Sequence, residues 1–143
     1  MALLSPTDQQ TLREMFADLK TPVTLRFFTQ TIGCETCDET RLILSELTAL
    51  TDRILVEEVN LVLDKDTAAA YGIDRAPALA LVAGGADTRI RFLGAPAGYD
   101  FMSLVDAILT VGGASDMALS EESAALVAAV TTPTNIQVFV TPT

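Results

Sequence analysis

The sequence predicts an α/β fold: a mixed sheet of four strands, helices on both of its faces, and one further helix in front. Three observations predict it. Apolar positions switch between helical and alternating periods along the chain. A cysteine pair, Cys34-Glu35-Thr36-Cys37, follows directly on an apolar strand. Gly84-Gly85-Ala86-Asp87 joins two apolar segments as a turn-rich loop suited to a hairpin. The chain has 143 residues, 50% of them hydrophobic, enough to bury the core of one domain with some length to spare.

In order along the chain, Ser5-Pro6 reads as an N-cap followed by proline at the first helical position. Leu12, Met15, Phe16 and Leu19 then recur at helical spacing, so a helix is expected over 6–20, ended by Thr21-Pro22. Val23 to Thr29 alternates as a strand. After the cysteine turn a helix is expected over 35–50, with Leu42, Ile43, Leu44, Leu47 and Leu50 on its buried side. Ile54 to Leu61 reads as a second strand, with Val56 and Val59 turned to the core, and Asp64 to Tyr71 as a short helix closed by Gly72. Ala76 to Val82 and Arg89 to Leu93 read as the hairpin strands. Gly94-Ala95-Pro96-Ala97-Gly98 breaks the pattern, and Phe101, Leu104, Val105, Ile108 and Leu109 mark a last helix. This βαβαββα order, preceded by an extra helix, describes a thioredoxin-like fold, part of its sheet parallel through the crossovers and part antiparallel through the hairpin.

Beyond Gly112-Gly113, Ser120 to Val130 reads as another helix and Asn135 to Thr143 as a strand. Phe27-Phe28-Thr29-Gln30-Thr31 and Phe139-Val140-Thr141-Pro142-Thr143 share the pattern Phe-x-Thr-x-Thr, each after a helix ending near a proline, Pro22 or Pro133. The organisation expected is therefore a complete thioredoxin-like unit with the Cys-x-x-Cys over 1–113, and over 114–143 a linker helix and the first strand of a second, incomplete unit. A strand without its own sheet has unpaired edges, so it is expected either to pair with another molecule, giving a homodimer through this C-terminal strand, or to add to the existing sheet.

Composition removes whole classes of function. The formal net charge of −10 offers no basic patch for nucleic acid or an anionic membrane surface. No apolar run approaches the ~20 residues of a membrane-spanning helix, and Met1 to Pro6 lacks the basic and apolar regions of a signal peptide. The cytoplasm is the expected compartment. The chain has no histidine, which excludes Ser-His-Asp and Cys-His catalysis. One Cys-x-x-Cys supplies two of the roughly four ligands that zinc needs, so no metal is expected. No Gly-x-Gly-x-x-Gly leads from a strand into a helix, so no nucleotide site is expected either.

What remains is thiol chemistry. A Cys-x-x-Cys at a strand end, opening a helix, gains unpaired backbone N–H groups and the positive end of the helix dipole, both of which favour a thiolate. Cys34 is the expected nucleophile, exposed at the turn. Cys37, inside the helix, is the residue that resolves the mixed disulfide. Glu35 opposes the dipole by like-charge repulsion, which predicts a less acidic Cys34 and a more reducing couple than in a strong oxidant.

Three segments together resemble a known family: Cys34-Glu35-Thr36-Cys37, Tyr71-Gly72-Ile73-Asp74-Arg75-Ala76-Pro77-Ala78, and Phe92-Leu93-Gly94-Ala95-Pro96-Ala97-Gly98-Tyr99-Asp100-Phe101. The chain resembles, over nearly its whole length, the N-terminal half of the protein disulfide oxidoreductases of archaea and thermophilic bacteria, also called glutaredoxin-like proteins. These carry two tandem thioredoxin-fold units, each with a Cys-x-x-Cys. The resemblance implies a thiol–disulfide oxidoreductase acting on protein disulfides, recharged by a dithiol reductant, with no cofactor beyond its own cysteines. It implies that Pro77 is a cis-proline facing the cysteine turn and that the backbone of Ala76 pairs with substrate. Arg75, Glu35 and Thr36 flank that substrate site. The segment matching the second Cys-Pro-Tyr-Cys site is absent, so a docking or scaffold half with weak redox activity stands as the alternative.

Thioredoxin carries a buried aspartate beneath its resolving cysteine. The corresponding stretch here, Phe27-Phe28, is apolar. Glu57 or Glu58 on the next strand is the available substitute, one of the two having to face water, and proton removal from Cys37 is expected to be slow.

Overall fold

A computed structural model describes residues 2–116 and 118–141. Its elements are α1 (Pro6–Phe16), β1 (Val23–Thr29), α2 (Cys37–Thr48), β2 (Ile54–Asn60), α3 (Lys65–Ala70), β3 (Ala78–Ala83), β4 (Ala86–Leu93), α4 (Tyr99–Val111) and α5 (Glu121–Ala128). The strands form one sheet in the order β2-β1-β3-β4, with β1 parallel to β2 and antiparallel to β3, and β3 antiparallel to β4. This is the thioredoxin-like arrangement that the element order predicts.

The alternation of β1 divides the core. Leu25 and Phe27 point to the face covered by α1, α2 and α4, where they pack with Phe16, Leu44, Leu47, Leu104 and Ile108. Phe28 points to the other face and packs with Val59, Ala68 and Ile73 beneath α3. The central β3 is buried on both faces from Ala78 to Val82, which is why it reads as a continuous apolar run.

Local chemistry sets the element ends. The Ser5 hydroxyl accepts from the Asp8 N–H, and Pro6 occupies the first helical turn. α1 ends at Phe16, short of Lys20, because the backbone N–H groups of Lys20 and Thr21 both donate to the Gly112 carbonyl at the end of α4, at 2.9 and 3.1 Å. Leu19 is still buried beside that junction. The hairpin turn is only Gly84-Gly85, with φ of 58° and 79°, so β4 begins at Ala86; two positive φ angles in succession suit a two-residue hairpin, and glycine adopts them without steric cost. The β3–β4 register shifts between Ala80 and Val82.

Two sequence expectations are corrected. Leu42 is 39% exposed, lying off the face that turns Ile43, Leu44 and Leu47 inward. No strand forms over residues 135–141; Pro142 and Thr143 of the expected strand lie outside the described residues. Ile136, Val138 and Phe139 alternate with polar residues only in part and are 80% or more exposed. An alternating pattern fixes a strand only where a neighbouring strand accepts its hydrogen bonds. α5 does form, capped by the Ser120 hydroxyl, but buries none of its residues.

Candidate active site

Cys34 and Cys37 are joined as a disulfide, with their Cα atoms 5.5 Å apart. β1 fixes the strand end from which the turn departs. The Gln30 side-chain amide donates to the Gly33 carbonyl at 3.2 Å and closes the loop, and Gly33 takes φ 75°. α2 begins at Cys37 with Thr36 as N-cap, whose side chain makes no capping hydrogen bond. Instead the Thr36 carbonyl accepts from both the N–H and the hydroxyl of Thr40, at 3.0 and 2.8 Å, anchoring the turn to the first turn of the helix.

The two cysteines differ in access. Cys37 is 3% exposed and belongs to the core cluster with Phe27, Leu44 and Leu47, whereas Cys34 is half-buried against the margin of that cluster. An attacking thiol must approach the outer sulfur, and the inner one is shielded. Glu35 and Thr36 are exposed between them, and Asp38 and Glu39 add two more carboxylates in the first helical turn.

Ala76–Pro77 is a cis peptide bond. Pro77 is buried, and Ala76 packs, like Cys34, on the edge of the large core cluster. The Gly94 N–H donates to the Pro77 carbonyl at 2.8 Å, tying the Gly94–Gly98 segment to the proline. The β1–β3 register puts the segments Cys34–Cys37 and Ala76–Pro77 at the same end of the sheet, the carboxyl end of β1 and the start of β3.

The guanidinium of Arg75, next to Ala76, pairs at 2.8 Å with the adjacent Asp74, and both side chains are largely exposed. The hydrogen bond from Arg75, reinforced by its charge, holds the Asp74 carboxyl below the usual carboxylate range.

The two glutamates of β2 separate as the strand period requires. Glu57 faces the α3 side and pairs with Arg26 at 2.6 Å. Glu58 lies on the α2 side, as a proton acceptor for Cys37 must, but its carboxylate is held by Arg41 at 2.8 Å at the exposed sheet margin. Arg41 also bonds Asp38 at 2.7 Å and lies 5.7 Å from the centre of the Phe27 ring. The hydrogen bond to Glu58 is the main reason the Arg41 guanidinium is held even more firmly protonated than usual.

Sequence reasoning missed a network on the opposite face. Two guanidinium groups lie against the Tyr71 ring, Arg26 at 5.0 Å and Arg91 at 5.1 Å from its centre. Arg26 donates to the Tyr71 hydroxyl at 2.8 Å, and Arg91 donates to the Tyr71 carbonyl and pairs with Asp87 at 2.7 Å. The sequence signal is weak: Arg26, Tyr71 and Arg91 are far apart in the chain, and only the register of β1, β3 and β4 brings them together.

Among the described residues no group of three or more Cys, Asp or Glu could hold a metal ion, and no helix is long and apolar enough to cross a membrane.

No family profile matches the chain. A stretch of 69 residues, 47% of the chain, is 42% identical to the F subunit of alkyl hydroperoxide reductase from Xanthomonas campestris pv. phaseoli, of which it covers 13%. The NTD_N/C domain of alkylhydroperoxide reductase AhpF from Enterococcus faecalis superposes with a TM-score of 0.75 at 29% identity, over 83% of this chain and 57% of that one. A protein disulfide oxidoreductase from Aeropyrum pernix superposes with a TM-score of 0.73 at 23% identity, over 85% of this chain and 53% of that one, a likeness of fold. The chain thus spans little more than half the length of these two structures. Their company matches the tandem thioredoxin-like resemblance carried by the three sequence motifs.

Proposed function

We propose that this thioredoxin-fold chain is a thiol–disulfide oxidoreductase that acts on protein disulfides through Cys34 and Cys37 and is recharged by a dithiol reductant. The observation that carries this reading is the asymmetry of the pair: an accessible Cys34 and a buried Cys37 at the start of a twelve-residue helix. In the reduced protein the Cys34 thiolate attacks a substrate disulfide, forming a mixed disulfide and releasing one substrate thiol. Cys37 then attacks Cys34, closing the intramolecular disulfide and releasing the second. The half-buried Ala76 backbone beside Pro77 is the proposed pairing edge for an extended substrate. Glu35, Thr36 and Arg75 form the polar border of that edge.

Residues 1–113 are proposed as the redox unit and 114–143 as a connector whose sequence repeats the opening of the unit. The absence of buried residues in α5 supports that division. The glutaredoxin-like assignment and the reducing cytoplasm as compartment belong to the same proposal, since two cysteines spaced for exchange suit a reducing environment. The alternative, a docking half with an idle cysteine pair, is separated by one experiment. The wild-type chain and Cys34→Ser are compared in dithiothreitol-driven reduction of insulin, alongside the redox equilibrium of the pair. Turnover lost in Cys34→Ser supports the oxidoreductase. Equal rates, or a pair that never opens, support the docking half.

A further inference from the structure

The carbonyl of Thr29 accepts from the Leu61 N–H at 2.8 Å, but its side chain makes no hydrogen bond among the described residues. Thr29 is 7% exposed, and its hydroxyl oxygen is fully enclosed. Buried hydroxyls are paired in the great majority of cases, and an exception calls for a reason. Valine would fill the same space without the polar atom.

The position supplies the reason. Thr29 is the last residue of β1, one alternation beyond Phe27. It therefore lies on the face of Leu25 and Phe27, which share their cluster with Cys37, and it is the residue of that face nearest the cysteine turn. Asn60, Thr40 and Glu58 on that side make hydrogen bonds of their own. Asn60, opposite Thr29 in the sheet, accepts the Val62 and Leu63 N–H groups on its Oδ1. The Thr40 hydroxyl, buried in the first turn of α2, donates to the Thr36 carbonyl. Glu58 on the same face is held by Arg41.

The groups in the cluster on that face whose hydrogen bonding changes with the chemistry are the two cysteines, and Cys37 is the buried one. In the disulfide its sulfur carries no proton and accepts only weakly. As a thiol it donates, and as a thiolate it accepts strongly. We propose that the Thr29 hydroxyl is the hydrogen-bond partner of the Cys37 sulfur in the reduced protein, left unpaired when the disulfide closes. The hydroxyl rotates to serve either protonation state of the sulfur. It would stand where the strand offers apolar Phe27-Phe28 rather than a carboxylate, and it would stabilise the reduced form. The inference rests on the redox function proposed above. The step balances: a dithiol is oxidised to its disulfide, the Cys34–Cys37 bond breaks, and each sulfur takes up one hydrogen.

The test is the equilibrium of the full chain against a series of reduced and oxidised dithiothreitol, read by mass after alkylation, for wild type, Thr29→Val and Thr29→Ser. One net hydrogen bond corresponds to about a fivefold change, ~20 mV for a two-electron couple. The expected result is a shift of that size toward the disulfide in Thr29→Val, and a value within about twofold of wild type in Thr29→Ser. If Thr29→Val does not fold, Thr29→Ala against Thr29→Ser makes the same comparison. A wild-type equilibrium in Thr29→Val overturns the inference, and so does an equal shift in Thr29→Ser, which would trace the effect to packing. A wild-type pair that never cycles overturns the redox function and this inference together.

Discussion

Replacing Phe16 by alanine asks whether the leading helix is part of the thioredoxin-like unit or only leans on it. Phe16 is 0% exposed and shares the large cluster with Leu25, Leu104 and Ile108. A phenylalanine side chain buries about 150–250 Å², which at ~25 cal/mol/Å² is worth roughly 4–6 kcal/mol. Residual structure in the unfolded chain and the retained Cβ lower this, and Phe→Ala changes in cores cost about 3–5 kcal/mol. With a urea dependence of ~2 kcal/mol/M, a loss of about 4 kcal/mol lowers the unfolding midpoint by ~2 M. The assay is urea titration followed by far-ultraviolet circular dichroism, with the disulfide intact in both proteins. Leu126→Ala on α5, where the leucine is 68% exposed, is the control and should stay within about 0.5 kcal/mol of wild type. A midpoint shift below ~0.5 M for Phe16→Ala, at an m-value of that order, would refute the placement of α1 in the cooperative core.

Three further outcomes are expected. Glu35→Gln removes a negative charge beside Cys34 and should speed alkylation of the reduced protein at pH 7 by about two- to threefold; an unchanged or slower rate counts against Glu35 opposing the dipole. The Asp87 carboxyl is held below its ordinary range, first by its hydrogen bond from Arg91. A depressed folded value means its contribution is complete above the unfolded aspartate value of about 3.9 and is lost as pH falls through it toward the folded value. Asp87→Asn should therefore cost up to about 1 kcal/mol at pH 7 and almost nothing at the acid end of the same titration, and a pH-independent difference would remove that explanation. Phe139 is 89% exposed; if the tail mediates the proposed self-association, Phe139→Asp should weaken it in sedimentation equilibrium, whereas monomers at high micromolar concentration for both proteins would dispose of the dimer.

The elements are legible wherever one residue type decides the local geometry. Ser5-Pro6 starts α1, Gly84-Gly85 turns the hairpin, and Cys34 to Cys37 marks the strand-to-helix corner. The stretch from Asn135 onward carries strand-favouring residues as convincing as those of β1, yet only β1 has β2 and β3 to bond to. The chemistry of the site shows the same division. The cysteine pair is written in adjacent letters. Whether Glu57 or Glu58 stands near Cys37 depends on the parity of β2, and the commitment of Glu58 to Arg41 depends on the facing of α2 across the sheet. Thr29 enters the sequence only as part of the Phe-x-Thr-x-Thr pattern, which says nothing of the sulfur; the burial of its hydroxyl without a partner is what sets it apart.

The Gly112 carbonyl, which receives the Lys20 and Thr21 N–H groups, places the end of α4 beside the start of β1. The cysteines stand past the other end of that seven-residue strand, which spans roughly 20 Å. Chain that continues past Gly113 therefore departs from the pole remote from the sulfur chemistry. A fluorophore, a surface tether or a fused protein attached there would leave the approach to Cys34 open, which makes this the natural anchor point for following the redox cycle on single molecules or on an electrode.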